Sequence, residues 1–307
     1  MNVLDWLLSG DPSIKALISR SLFNQEVPYD TAGIISRYLG LYDHKLMQWG
    51  EGVYSPKWNS THYTMLELKN LQIDPANPIY QEGALRLLKL MWYNNGKVGK
   101  TRHQDTCVVG MILNMVCYGK ITDPRIDEMV DHLLEHELAD GGWNCEWERK
   151  PFLTHSSVHT TLSVIEGFWE YEKNGYHYRI DDVICARTRG EEYLLRKKLY
   201  LRESTRTPMF DQITECHYPQ RWKYDVFKAL GYFVDTDHAY DDRMADALAI
   251  VEKKIRNGIM PAGPRYPGKV HFAISTEDRK RLTTFTALRA LKKYRPEIYE
   301  RCLSTPI

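Results

Sequence analysis

Thiols, imidazoles, indoles and carboxylates recur in this chain at, or just before, the start of apolar segments. Asp105-Thr106-Cys107 opens the run TCVVGMILNMVCY. Aligning Cys107-VVGMIL on Thr161-LSVIEG puts His159 in the slot of Asp105, and His62, two residues before Thr64, shares that register. Trp58, Trp143, Cys145, Trp147, His155, His217, Trp222, Tyr224, Asp225 and His271 lie at comparable places. A thiol, a phenol and a carboxylate at one mouth can attack, protonate or deprotonate a bound molecule, so Cys107, Tyr224 and Asp225 are the candidate catalytic groups. Trp58, His62, Trp143, Cys145, His155 and Trp222 are the candidate substrate contacts, since ring faces favour a cation by about 0.5–2 kcal/mol each. Each residue also has an ordinary role: Asp105 as a helix N-cap, Cys107 as a small buried side chain, His159 as a hydrogen-bonded core histidine.

The elements that must hold these groups are helical. Arg125–Leu138 places Ile126, Met129, Val130, Leu133 and Leu134 on one face and charges on the other, which predicts a half-exposed helix. Glu82–Tyr93 and Asp241–Ile255 follow the same rule. Thr106–Tyr118 and Thr160–Trp169 are apolar nearly all round, which predicts burial on most sides. The two kinds alternate. Buried helices are expected near 12–23, 60–71, 105–118, 158–172, 222–234 and 281–292, and outer ones near 30–47, 79–93, 124–138, 188–200, 240–256 and 296–303. The unit of roughly 45–60 residues is that of a repeat architecture. Gly-rich connectors such as Gln48–Tyr54, Asn94–Lys100, Asp140–Trp143 and Asn257–Gly263 separate outer from buried helices. The expectation is an all-α (α/α)6 toroid formed by a single domain over residues 1–307.

Lys plus Arg number 41 against 40 Asp plus Glu, so the net charge of +1 gives no bias toward nucleic acid or an anionic membrane. No apolar run is long enough to span a bilayer. The first residues, MNVLDWLLSGDPSIK, lack a secretory pattern, which predicts a cytoplasmic protein with its six cysteines reduced.

Glu137-Leu-Ala-Asp140-Gly141-Gly142-Trp143 resembles the QxxDGxW signature of squalene cyclases and related prenyltransferase-type toroids, with Glu in place of Gln; Gln48-Trp49-Gly50 is similar to a worn copy. The Asp-x-Cys of Asp105 and Cys107, with His159 one repeat later, resembles the zinc site of protein prenyltransferase β subunits. That resemblance implies zinc as cofactor, held by Asp105, Cys107 and His159 with a fourth position open. It also implies a small-molecule or lipid-like substrate in a central cavity. The family patterns are incomplete. No DxDD or DDxxD occurs, and Asp241-Asp242-Arg243-Met244-Ala245-Asp246 reads as a solvated helix start. Arg279-Lys280-Arg281 precedes a buried helix and reads as a solvated charge run, with a rim phosphate contact as the alternative.

Two other functions compete. A carbohydrate-active toroid would need paired carboxylates, for which Asp140, Glu146, Glu148, Glu166 and Asp225 are candidates beside Trp143, Trp147 and Trp222. A non-catalytic binding or scaffolding toroid would leave all these groups in structural roles.

Overall fold

The structure, a computed structural model, describes residues 1–29, 32–98, 102–150 and 152–307. Among these residues the chain is mostly α-helical, with thirteen α-helices and two short hairpins. The short α1 (Val3–Leu8) precedes α2 (Pro12–Phe23), α3 (Gly33–Leu39) and the hairpin β1–β2 (Tyr42–Asp43, Gln48–Trp49). Next come α4 (Thr61–Asn70), α5 (Pro78–Met91) and the hairpin β3–β4 (Lys97–Val98, Arg102–His103). Four long elements follow: α6 (Thr106–Tyr118), α7 (Arg125–Glu135), α8 (Val158–Lys173) and α9 (Ile180–Arg196). The chain finishes with α10 (Val226–Asp235), a 3-10 turn (Asp242–Met244), α11 (Ala245–Lys254), α12 (Thr276–Tyr294) and α13 (Pro296–Ser304).

Local chemistry sets the starts. Asp11 caps α2 by accepting from the Ser13 N–H at 2.9 Å, with Pro12 at the first helical position. Asn77 with Pro78 does the same for α5, and Ser275 caps α12 through the Asp278 N–H. The even-numbered helices are buried along continuous stretches: Thr61–Leu68 in α4, Val108–Cys117 in α6 and Val226–Phe233 in α10. The odd-numbered helices bury a stripe, as α7 does with Ile126, Met129, Val130 and Leu133. Helix α6 packs between α4 and α8, and α12 packs between α10 and α2. Helices α5, α7, α9, α11 and α13 pack against these from the flanks.

The α6–α8 contact is backbone on backbone. A Cβ on Gly110 would stand 2.6 Å from the Ser163 carbonyl oxygen, and one on Gly167 would stand 2.6 Å from the Gly110 carbonyl oxygen. Larger side chains at either site would push the helices apart.

A recurring tether joins connectors to even-numbered helices. The Trp143 N–H donates to Thr161 Oγ1 (3.1 Å) and its indole N–H to the Leu133 carbonyl (2.6 Å), tying α7 to α8. Trp49 repeats the pattern with Thr61 Oγ1 (3.0 Å) and the Tyr38 carbonyl (2.7 Å), tying α3 to α4. The Met260 N–H donates to Thr284 Oγ1 of α12 at 2.9 Å, without an indole. Glu137 and Asp140 extend the Trp143 tether: Glu137 pairs with Arg189 of α9, and Asp140 accepts from the Ser156 N–H.

Several boundaries differ from the sequence expectation. Helix α3 stops at Leu39 and the β1–β2 hairpin follows, so no helix runs to residue 47; the expected start near 30 lies outside the described residues, as does the end of the 94–100 connector. Helix α9 begins at Ile180 because Val183, Ala186, Gly190, Tyr193 and Leu194 form one buried stripe through its charged first half. Helix α10 begins only at Val226, since Asp225 is its cap.

Candidate functional site

The leading ends of α4, α6, α8 and α10 carry most of the groups singled out by sequence. At α6, Asp105 occupies the N-cap position without capping. Its Oδ1 accepts from Arg102 (2.7 Å) and Arg149 (3.4 Å) at the surface. Cys107 turns instead to Cys145: the Cys107 N–H donates to Cys145 Sγ at 3.3 Å, and Thr160 Oγ1 of α8 lies 3.4 Å from the same sulfur. The thiols share a hydrogen bond. It pushes the Cys107 thiol up, with burial adding to the effect, and holds the Cys145 thiol below its ordinary value despite burial. The proton therefore stays on Cys107, and Cys145 is the more readily ionised sulfur.

His159 belongs to a different cluster. Its Nδ1 accepts from the Tyr224 N–H at 2.9 Å, and its ring packs on Phe210 and edge-on to Trp222. Burial, then Lys228 and Lys223, lower its pKa to about 4. With Nδ1 accepting, the single proton of the neutral ring sits on Nε2. The Tyr224 hydroxyl donates to the Leu199 carbonyl at 2.7 Å. Asp225 is spent on capping α10, accepting from the Lys228 N–H at 2.8 Å, and on His217 Nδ1 at 3.1 Å.

The remaining contacts are dispersed. His62 is fully buried between Tyr54 and Tyr63, neither ring nitrogen has a hydrogen-bond partner among the described residues, and burial lowers its pKa to about 3. Trp58 donates its indole N–H to the Pro267 carbonyl at 2.7 Å, and His271 Nε2 lies 2.9 Å from Thr64 Oγ1, so the connector before α12 lies across the leading end of α4. Trp143 is a tether with no exposure, His155 is exposed, and Trp222 stands half-buried beside His159.

These residues do not fit the zinc site that the resemblance implies. A ligating imidazole needs a free lone pair, and His159 has its lone pair on the Tyr224 amide. Asp105 is engaged by two guanidiniums. Among the described residues no group of three or more His, Cys, Asp or Glu side chains is arranged to hold a metal ion.

A cavity of about 160 Å³ lies toward the trailing ends of the even-numbered helices, each of which contributes to its wall: Leu17 from α2, Lys69 from α4, Asn114 from α6, Glu166 from α8, Lys228 from α10 and Phe285 from α12. The wall is charged. Lys69 pairs with Glu170 (3.0 Å) and Lys228 with Glu166 (3.1 Å), so two acids one turn apart on α8 receive lysines from α4 and α10. Arg289 pairs with Asp235. Burial would raise the Glu170 pKa, but Lys69 and Lys173 outweigh it and hold it low. Tyr218, on the same wall, donates its hydroxyl to Glu67 Oε1 at 2.6 Å. Glu67 is 2% exposed, and burial raises its pKa against the opposing effects of Arg221, 3.9 Å away, and of Tyr218.

Of the groups in this wall, sequence reasoning had singled out only Glu166. The signal was a charge inside an otherwise apolar helix: Glu67 and Lys69 in THYTMLELKN, Glu166 and Glu170 in VHTTLSVIEGFWEYEK, Lys228 in VFKALGYFVD. Such a charge needs a partner from another buried helix. Among the described residues no helix is long and apolar enough to cross a membrane. No protein-family model matches the chain, and no curated protein matches it.

Proposed function

We propose that the chain is a closed (α/α)6 toroid of the prenyltransferase- and squalene-cyclase-like kind that takes a compact, polar, charge-bearing molecule into its central cavity and moves a proton on it through Tyr218 and Glu67. The observation that carries this reading is the cavity walled by all six even-numbered helices and lined by buried ion pairs. Closure of the ring accounts for a single space touched by α2 through α12. The charged wall suits a zwitterion or small polyol better than a prenyl chain, because an apolar guest would strip water from those ion pairs and offer no hydrogen bond in return. Glu67, raised in pKa by burial and hydrogen-bonded to a cavity-facing phenol, is a group suited to accept and return a proton.

A thermal-shift screen of compact zwitterions, amino sugars and small acids, run on the wild type and on Lys228→Met, tests the binding half. A ligand that stabilises the wild type and loses its effect in Lys228→Met supports the site. Stabilisation that survives the substitution, or none from the whole panel, overturns it. For a ligand that binds, Glu67→Gln is expected to preserve binding and to abolish turnover.

The carbohydrate-active reading draws on Glu166 and Glu170, which share one face of α8 in the cavity wall. Both are paired with lysine, and Glu170 is held low in pKa, whereas glycoside hydrolysis needs one carboxyl kept protonated.

A further inference from the structure

Tyr218 faces the charged cavity, while Pro219 and Arg221, just beyond it, face a second cavity of about 170 Å³. Its wall combines the rings of Tyr38, Tyr266 and Phe272 with the guanidiniums of Arg221, Arg265 and Arg279. Among the described residues no Asp or Glu lines it.

The three arginines are poorly neutralised. Arg279 is 7% exposed and gives its donors to backbone carbonyls, Nε to Tyr218 at 3.1 Å and Nη2 to Gly263. Arg265 donates to the Ile274 carbonyl at 3.0 Å. Arg221 is 5% exposed, and its guanidinium lies over the Trp58 ring, 5.4 Å from the ring centroid. Its acidic neighbour, Glu67, stands 3.9 Å away, beyond hydrogen-bond length, and already accepts from Tyr218. Nearby acids are otherwise engaged: Asp278 pairs with Arg281 at 3.1 Å, and Glu51 with Lys269. A fourth guanidinium, that of Arg37, lies 3.7 Å from the Phe272 ring centroid. Burial, and secondarily the charge of Arg265, pull the Arg279 pKa down, as expected where cations crowd without a counter-charge. A buried cation left unpaired is strongly unfavourable, and a guanidinium whose donors point into a cavity is built for a ligand that supplies acceptors. Arg279 and Arg265 spend part of their donors on carbonyls, which fixes them at the cavity wall, and Arg221 gives none to a carbonyl.

We propose that this cavity binds a compact organic oxyanion, a carboxylate or phosphate monoester, whose charged head is held by Arg221, Arg265 and Arg279 and whose body rests on Tyr38 and Phe272. The planar fork of Arg221 matches two oxygens of either head group, and Arg265 and Arg279 add the donors their carbonyl contacts leave over. The aromatic wall adds contact area for a flat or short apolar body. The cavity is a separate one, and although Arg221 also stands 3.9 Å from Glu67, oxyanion binding is read by titration and not by turnover.

Isothermal titration at low salt with benzoate, phenyl phosphate and inorganic phosphate tests it. The expected result is saturable binding of at least one oxyanion, weakened about tenfold or more by Arg221→Met and several-fold by Arg265→Ala, in line with loss of a charge-assisted hydrogen bond. Binding of benzoate alone assigns a carboxylate head; binding of the two phosphates alone assigns a phosphoryl head. Arg265 is exposed and contacts one carbonyl, so Arg265→Ala tests the site even where Arg221→Met fails to fold. No saturable binding of any probe at millimolar concentration, or binding unchanged in both variants, overturns the proposal.

Discussion

The two ends of the even-numbered helices bury polar groups by opposite means. At the leading ends three titratable groups are pushed toward their neutral forms: burial lowers the pKa values of His62 and His159, and the Cys145 hydrogen bond together with burial raises that of Cys107. At the trailing ends charges are paired across helices, Lys69 with Glu170 and Lys228 with Glu166, and in the first pair the lysine pKa is raised and the glutamate pKa lowered. The difference shows that burial alone does not decide protonation. Where a partner of opposite charge can be brought from a neighbouring helix, the charge survives; where only rings and carbonyls are available, it does not.

The largest expected effect separates the two ends by pH. The folded pKa values of His62 (about 3) and His159 (about 4) lie below the ordinary 6.5. The unfolded chain therefore takes up protons first as pH falls, and the folded state loses stability from pH 6.5 downward, with each neutral histidine adding about 1.4 kcal/mol per pH unit to the slope. Urea titrations between pH 7 and 4.5 should show this loss, and His62→Phe should flatten it. A profile identical in wild type and variant would remove His62 from the account.

The trailing end should break next. Lys69→Met leaves Glu170 buried without its main partner, which is expected to destabilise by about 3 kcal/mol at neutral pH. Lys69→Met with Glu170→Leu should recover most of that loss, and failure of the double variant to recover would show that packing, not charge, holds the pair. Gly167→Ala drives a methyl against the Gly110 carbonyl and is expected to destabilise by about 1–3 kcal/mol, measurable as a lowered urea midpoint. Thr161→Val removes the acceptor of the Trp143 N–H and should lower stability by about 1–2 kcal/mol, also by urea midpoint.

The smallest effect is chemical. Cys145, half-buried and held low by Cys107, should alkylate faster with iodoacetamide than the buried Cys117 and Cys216. Cys107→Ala should slow Cys145 by removing its thiol donor, as read by mass spectrometry of the labelled peptides.

Helical periodicity carried most of the architecture, because an apolar run such as VVGMILNMVC has one physical outcome: a helix buried on nearly every side. Boundaries failed where a cap or a stripe overrides composition, as at Asp225 for α10 and in the charged first half of α9. The site was less legible. Asp105 and His159 share a register, with Cys107 two residues on from the first, yet each of the three is claimed by a distant segment: Asp105 by Arg149, His159 by Tyr224 and Cys107 by Cys145. Pairings of that kind come from the connectors, whose paths no periodicity encodes. Arg279 read as part of a solvated run but is buried against the Tyr218 and Gly263 carbonyls, since only its neighbours Lys280 and Arg281 find acids.

The threonine anchors on α4, α8 and α12 skip every second buried helix. These anchors thus recur with a long period that spans two helix pairs. Helices α2, α6 and α10 carry no such anchor; near the start of α6 the Cys107 N–H meets Cys145, and α10 is capped by Asp225. A change at Cys107 or Asp225 therefore acts on one helix start and leaves the three threonine anchors in place.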